Sequence, residues 1–417
     1  MKLNRKKIIM ITAAVILLGL GIAVPLLCRS SATVKVAFYK IPQEQEELIK
    51  SLIIDSQTAD KKIQIKFLED DDTKDIVTHS KKADILFTKM GLAADRAVES
   101  IPEKKIRNTL FDSSIIAGTS ISAAEFALNT AGSKDGKVSQ IPLFFDGYEM
   151  LISIQALGET KTEAITSWTD IETFASKAKS AASGIAFAAG DADTLLGVIS
   201  VVTEAFDGKE KYNSVIEKIR AYDGPMPNLF ETLLQEDDAF HDTMERILSW
   251  KKKGIFNTEL LKINKEDFFT IVERYRTAII IMPLSDHRKL SMSTAKYMTT
   301  LPIHSNETNF YFPSMRPLNT RSAMTSAVAM IPMTTSSNAK DAVKFLLGTD
   351  AQENIAFRTG LAPFLANCKI PDMQSDDLRF WIAATSEPSI SMEHAAFDDE
   401  KKKEEFAQAV RDYIIKN

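Results

Sequence analysis

Signatures of catalysis and metal binding are what this 417-residue chain has least of. Its two cysteines, Cys28 and Cys368, cannot make a disulfide framework. The five histidines (His79, His241, His287, His304, His394) are scattered, and no HExxH or CxxC spacing occurs, so the sequence gives no support for a zinc site. Glycine is sparse at 16 residues, and neither a G-x-S-x-G elbow, a phosphate loop nor a G-x-G-x-x-G turn is present. Triads are spatial rather than sequential, so a missing motif does not by itself exclude catalysis. It does make a non-enzymatic role without a cofactor or metal the leading expectation. Cations and acids nearly balance, for a net charge of −5, and no basic stripe is available to neutralise phosphates, which argues against a nucleic-acid partner. Beyond residue 28 there is no second run of 18 apolar residues, so this part of the chain is not itself a channel or permease.

The start of the chain is different. Lys2, Arg5, Lys6 and Lys7 precede an uncharged, mostly apolar run over Ile8–Leu27, and no acid occurs before Glu44. Such a run is roughly the length that crosses a ~30 Å hydrocarbon core as a helix. A basic start followed by an apolar run is an export signal whose positive end stays in the cytoplasm. Signal-peptide cores are usually shorter, about 7–15 residues, so an uncleaved anchor helix fits at least as well as a cleaved leader. The alternative is lipidation of Cys28, although Leu27 and Pro25 stand where a lipobox wants a small residue and a leucine. Either way, residues 1–28 are the tether, and the chain from about Arg29 onward lies on the extracytoplasmic face of the membrane.

After the tether, "TVKVAFY" alternates apolar and polar residues and reads as a strand, as do "KIQIKFLED" and "KADILFTKMG". Between the first two, "PQEQEELIKSLIIDSQ" puts Leu48, Leu52 and Ile53 on one helical face. This alternation predicts a mainly parallel sheet flanked by helices, and ligands in such sheets sit beyond the carboxyl ends of the strands. Tyr39, Thr88 and Lys89 occupy those ends. The acidic run 69–75 reads as a solvated turn that caps the following helix. Further on, Trp168 precedes an amphipathic helix capped by Ser167 or Thr169, with Glu172 placed for a capping box; Trp168 reads as a packing residue. A short strand at Ile185–Ala188 runs into Gly190 and Asp191, and Asp191 is either a helix cap or a ligand contact. "AIIIM" at 278–282 is a strand buried on both faces that stops at Pro283, with Ser285 and Asp286 just beyond it.

Four segments, in order, carry a family resemblance. "IPLFFDGYEMLIS" looks like a strand crossing between lobes, "SWTDIETFASKAK" like the helix that follows it, and "YRTAIIIMPLS" like the central strand. "MIPMTTSSNAKDAVKFLLGTDAQENIAFRTGLAPF" looks like the characteristic ending and is the most specific of the four. Together they resemble the extracellular (periplasmic-type) solute-binding proteins of ABC importers, family 1, which are maltose-binding-like. The chain departs from that pattern at Ser153-Ile154, at Arg276-Thr277 and in its scarcity of glycine before "AVAMIPM".

The resemblance implies an α/β, two-lobed type II periplasmic-binding-protein fold, each lobe a mostly parallel sheet flanked by helices, with the ligand cleft between them. The expected lobes are 33–145 with 284–325, and 146–282 with 326–417; the crossings lie near 143–148, 282–285 and 325–330. Projected by position, the ligand-binding residues are Tyr39, Thr88, Lys89, Asp146, Tyr148, Asp191, Ser285, Asp286 and Arg316. A sugar or polyol would stack on Tyr39, Tyr148, Trp168 or Tyr311 and donate to the aspartates, whereas a small anion would use Lys89 and Arg316. The implied partners are that small ligand, an ABC permease and the membrane through the N-terminal anchor, with the protein itself a monomer. An anchored sensor or interaction domain of the same fold is the alternative, and a hydrolase using cleft carboxylates is the least favoured reading.

Overall fold

The computed structural model describes residues 33–59, 64–69, 75–102, 111–112, 133–134, 137–157, 165, 167–178, 183–274, 277–301, 303, 324–334, 336–365, 368–370, 372 and 389–417. The tether with Cys28, and Tyr311 and Arg316, lie outside them. Among the described residues ten strands make the main sheet: β1 (Thr33–Tyr39), β2 (Gln64–Phe67), β3 (Ile85–Lys89), β4 (Ile141–Ser153), β5 (Ile185–Ala186), β6 (Ile279–Pro283), β7 (Met298–Leu301), β8 (Met324–Pro332), β9 (Ala362–Pro363) and β10 (Ser389–Ile390). The spatial order is β2-β1-β3-β8-β4-β6-β5, with β7 and β9 against β4 and β10 against β8. A separate three-stranded sheet joins Phe111–Asp112, Lys137–Val138 and Ser133–Lys134.

The sheet is mixed, which corrects the expectation of mostly parallel sheets. β1 runs parallel to β2 and β3, and β5 to β6, as strand–helix–strand units require. β8 and β4, however, run antiparallel to their principal neighbours. β4 is 13 residues long and buried at every position. Its first half pairs with β8 and its second half with β6 and β7, so one strand serves both ends of the sheet.

Two apolar cores flank this strand. The first gathers Val34–Ile53, Ile85–Ala97, Ile141–Phe145, Ala327–Ile331 and residues from Ala339 to Phe364. The second gathers Tyr148–Ile152, the helical block from Trp168 to Val272, Ala278–Met282, and residues from Met392 to Ile414. Core membership changes between Phe145 and Tyr148, between Met282 and Leu284, and between Met324 and Ala327. The segments after residue 284 divide differently from the expected lobes. Leu290, Ile303 and Met324 belong to the second core, and 327–364 belongs to the first, because β8 lies between β3 and β4 and carries its helices with it.

Local sequence explains the flanking elements. The helix Gln43–Ala59 buries Leu48, Ile49, Leu52 and Ile53 along one stripe. Asp75 caps the helix Ile76–Ser80 through Thr78 N–H at 2.8 Å. Ser167 caps the helix Trp168–Lys177, accepting from Asp170 N–H at 3.2 Å. Glu172 does not complete a capping box: it accepts from Trp250 Nε1 (3.0 Å) and Lys253 Nζ (3.0 Å), which ties this helix to the helix Asp238–Lys252. Trp168 is a core residue, stacked on Trp250 at 6.4 Å. The helix Thr349–Thr359 ends at Gly360 with φ +66°, a left-handed cap that glycine adopts without strain. Cys368 is buried. Among the described residues no helix is long and apolar enough to cross a membrane.

Candidate ligand cleft at the strand ends

A cavity of about 150 Å³ opens where the two cores meet, walled by Lys40, Pro42, Gln45, Lys89, Asp146, Gly147, Tyr148, Asp193, Lys265, Pro283, Ser285, Ser326, Glu393 and His394. Its position follows from the register. β3 ends at Lys89; β8 and β4 place Ser326 opposite Asp146; β4 and β6 place Tyr148 opposite Pro283. The two-residue repeat of a strand directs Asp146 and Tyr148 to the same face.

Asp146 Oδ1 accepts from Gly147 N–H and Ser285 N–H, both at 3.0 Å, so the side chain is fixed by backbone from two crossing segments. Lys89 Nζ donates to Ser326 Oγ at 3.2 Å and makes no ion pair among the described residues. Burial lowers the affinity of Lys89 for its proton, against the opposing charge of Asp146, and burial raises the Asp146 carboxyl against Lys89. Tyr148 donates towards the Asp193 carbonyl and Glu393 Oε1, each at 3.3 Å. Its ring lies on the helix Ala192–Asp207 where Gly197 has no side chain; a Cβ there would stand 1.7 Å from the hydroxyl.

The short helix Met392–Ala395 closes another wall. Glu393 is pushed up to about 8 by burial and by the Asp193 charge, so it is largely protonated at neutral pH. Burial and Lys89 depress His394 to about 3, leaving a neutral imidazole. Asp193 stays below the usual carboxylate range in spite of burial, because Lys403 lies 2.5 Å away. Lys265 pairs with Asp286 (3.1 Å) and Asp191 (3.4 Å), which hold it above ordinary lysine against its burial. Among the described residues no group of histidines, cysteines and carboxylates is arranged to hold a metal ion.

Of the residues projected from the sequence, Lys89, Asp146, Tyr148 and Ser285 reach the cavity wall. Asp191 is the N-cap of the helix Ala192–Asp207, accepting from Thr194 N–H (2.9 Å) and Oγ1 (2.7 Å), and touches the site only through Lys265. Asp286 is buried between Lys265 and Lys289. Thr88 is buried in the ladder between β1 and β8. Tyr39 lines a neighbouring open depression of about 1030 Å³ rather than the cavity. Gln45, Asp193, Lys265, Ser326, Glu393 and His394 were not anticipated. Asp193 lies two residues past the expected Asp191, at the strand-to-helix mouth that had been singled out. Glu393 and His394 carried no signal, because "SMEHAAF" lies beyond the last recognisable segment.

The two cores also meet along one edge of this cleft. Arg96 pairs with Asp398, Arg220 with Asp95 at 3.1 Å, and Lys40 Nζ donates to the Asp398 carbonyl at 2.6 Å. Gly91, at φ +123°, lies so close to the His394 carbonyl that a Cβ would come within 2.2 Å of it.

No family model matches the sequence, and no curated protein matches it significantly. Solved structures do match, over nearly the whole chain. The bacterial solute receptor AcbH, described as having an exclusive substrate preference for β-D-galactopyranose, is 12% identical at a TM-score of 0.64, covering 92% of this chain and 97% of its own. RafE in complex with raffinose is 14% identical at 0.61, with coverages of 92% and 94%. A probable secreted solute-binding lipoprotein from Streptomyces coelicolor is 13% identical at 0.62, with coverages of 92% and 97%. The chain therefore has the fold of solute-binding proteins.

Proposed function

We propose that this protein is a non-enzymatic, extracytoplasmic solute receptor that captures a sugar or polyol between its two cores and delivers it to an ABC importer. The observation that carries this reading is the polar cavity at the strand ends, at the junction of the cores, in a chain that shares the fold of sugar-binding receptors over 92% of its length. Walls contributed by both cores give the ligand contacts that exist together only when the cleft is shut, so binding favours the closed arrangement. The closed form is the one the permease would receive. Residues 1–28 tether the protein to the membrane, by a helix over Ile8–Leu27 or by lipid on Cys28. The test is a thermal-shift and calorimetric screen of mono- and oligosaccharides, with Asp146→Ala as the site variant. Binding of a sugar that D146A weakens about tenfold or more supports the reading; failure of every small molecule to stabilise the protein removes it.

A further inference from the structure

Four buried side-chain polar atoms have no hydrogen-bond partner among the described residues: Gln45 Oε1, Glu149 Oε2, Asp193 Oδ1 and Glu393 Oε2. Asp193 Oδ1 has its charge met by Lys403, and Glu149 is not part of the cavity wall. Gln45 and Glu393 both line the cavity, at 8% and 3% exposure. An orphaned buried polar atom costs stability, and in a cavity that cost is recovered when a ligand supplies the missing bond.

The charges around the cavity narrow the ligand further. Lys265 is offset by Asp191 and Asp286, Lys403 by Asp193 and Glu400, and Lys40 by Glu400. Among the described residues Lys89 and Asp146 make no ion pair, and they are of opposite sign. With Lys289 also paired to Asp286, these cations and acids balance, so among the described residues around the cavity no net charge is left for an ionic ligand to neutralise. At about 150 Å³, the space is well below the ~300 Å³ floor for drug-sized ligands, which suits one ring.

We propose that Gln45 and Glu393 are the specificity-determining residues of the cleft, and that they grip a single uncharged pyranose-sized polyol by its hydroxyls, with Lys89 and Asp146 completing the set. The proposal rests on the sugar-receptor reading above. Gln45 Oε1 accepts from one hydroxyl. Glu393 Oε1 already accepts from Ser391 Oγ (2.5 Å) and Tyr148, so the carboxyl proton sits on Oε2 and is donated to the ligand. The groups facing Glu393 are Asp193, Tyr148, Tyr212, Lys89 and Lys403. Burial and the Asp193 charge, acting against the Lys403 charge and the Ser391 hydrogen bond, keep it protonated up to about pH 8.

The test titrates the full-length protein with D-galactose, D-glucose, D-galacturonate and D-glucosamine, as wild type, Gln45→Leu, Glu393→Gln and Glu393→Met, and melts each protein without ligand. A neutral hexose is expected to bind about tenfold or more tighter than its charged analogues. Q45L and E393M lose about tenfold or more, while E393Q, still a donor at that position, keeps its affinity and loses the decline that wild type shows above pH 8. Without ligand, Q45L melts at or above wild type, because its orphaned acceptor is gone. Equal binding by wild type, Q45L and E393M, or tighter binding of a charged analogue, overturns the proposal. If no sugar binds wild type, the receptor reading falls separately. The melts then decide: a Q45L that melts below wild type makes Gln45 structural and overturns the inference, and one that melts at or above it keeps the contact and discards the sugar.

Discussion

At the scale of single residues, Gly197 is where sequence and site are coupled most tightly. The helix Ala192–Asp207 is apolar on nearly every side, and a glycine inside it costs helix stability relative to alanine. Here it makes room for Tyr148, which reaches over it to Asp193 and Glu393. Gly197→Ala should therefore destabilise by about 1–3 kcal/mol in spite of alanine's better propensity, as overpacking does. Urea unfolding measures this, and ligand affinity should fall with it as the tyrosine is displaced. Glu393 and His394 set opposite pH limits. Glu393 titrates at about 8 in the fold against 4.5 in an ordinary glutamate, so the folded state holds an extra proton between these values and stability falls as pH rises through them. His394 titrates at about 3 against 6.5, so the folded state refuses a proton that the unfolded chain accepts, and stability falls as pH drops through that window. The two slopes oppose each other between pH 4.5 and 6.5. The melting temperature should thus be flattest there, with stability falling on the alkaline side by at most about 1.4 kcal/mol per pH unit from this group. Glu149, buried and raised, acts in the same direction, so the clean measurement is the difference between wild type and E393Q, whose alkaline limb should be shallower. Identical alkaline limbs would contradict the assignment.

At the scale of elements, β4 is the piece on which the site depends. Its register with β8 and β6 decides that Asp146 and Tyr148 face the cavity, and Asp146 is held by backbone N–H groups of two crossing segments. Asp191 belongs to this scale as well, as a helix cap rather than a wall residue. Asp191→Ala should cost about 1 kcal/mol of stability and leave sugar affinity far less changed than D146A does; calorimetry beside urea unfolding separates the two effects. The sequence was readable where local chemistry sufficed. Alternation marked β1 and β3, a continuous apolar run marked β6, Ser167 or Thr169 and the acidic run 69–75 announced their helices, and Pro283 stopped its strand. It was unreadable where partners come from distant segments. Glu172 had the right spacing for a capping box, yet Trp250 and Lys253 claim it. β8 had the apolar run of a buried strand, but nothing local said that it would insert antiparallel between β3 and β4 and take residues 327–364 into the first core.

At the scale of the whole molecule, two cores share one mixed sheet and enclose a polar cavity where the chain passes between them. Lys89, Asp146, Tyr148 and Ser285 reached that cavity, because strand register and crossings are fixed by backbone pairing. Tyr39, Thr88, Asp191 and Asp286 did not, and the wall formed by Glu393 and His394 comes from a segment whose docking no local pattern encodes. The tether is a separate question with its own readout. Intact mass of the membrane-extracted protein should show a chain retaining Met1–Leu27 if the helix anchors it, and one beginning at an acylated Cys28 if lipid does. The central claim is capture of an uncharged sugar in the cleft, and calorimetric titration of the purified protein with galactose, glucose and raffinose tests it most directly. The account predicts saturable one-to-one binding of at least one of them, weakened about tenfold or more in D146A. Absence of binding by all three in wild type, or a D146A variant that binds as wild type does, would contradict it.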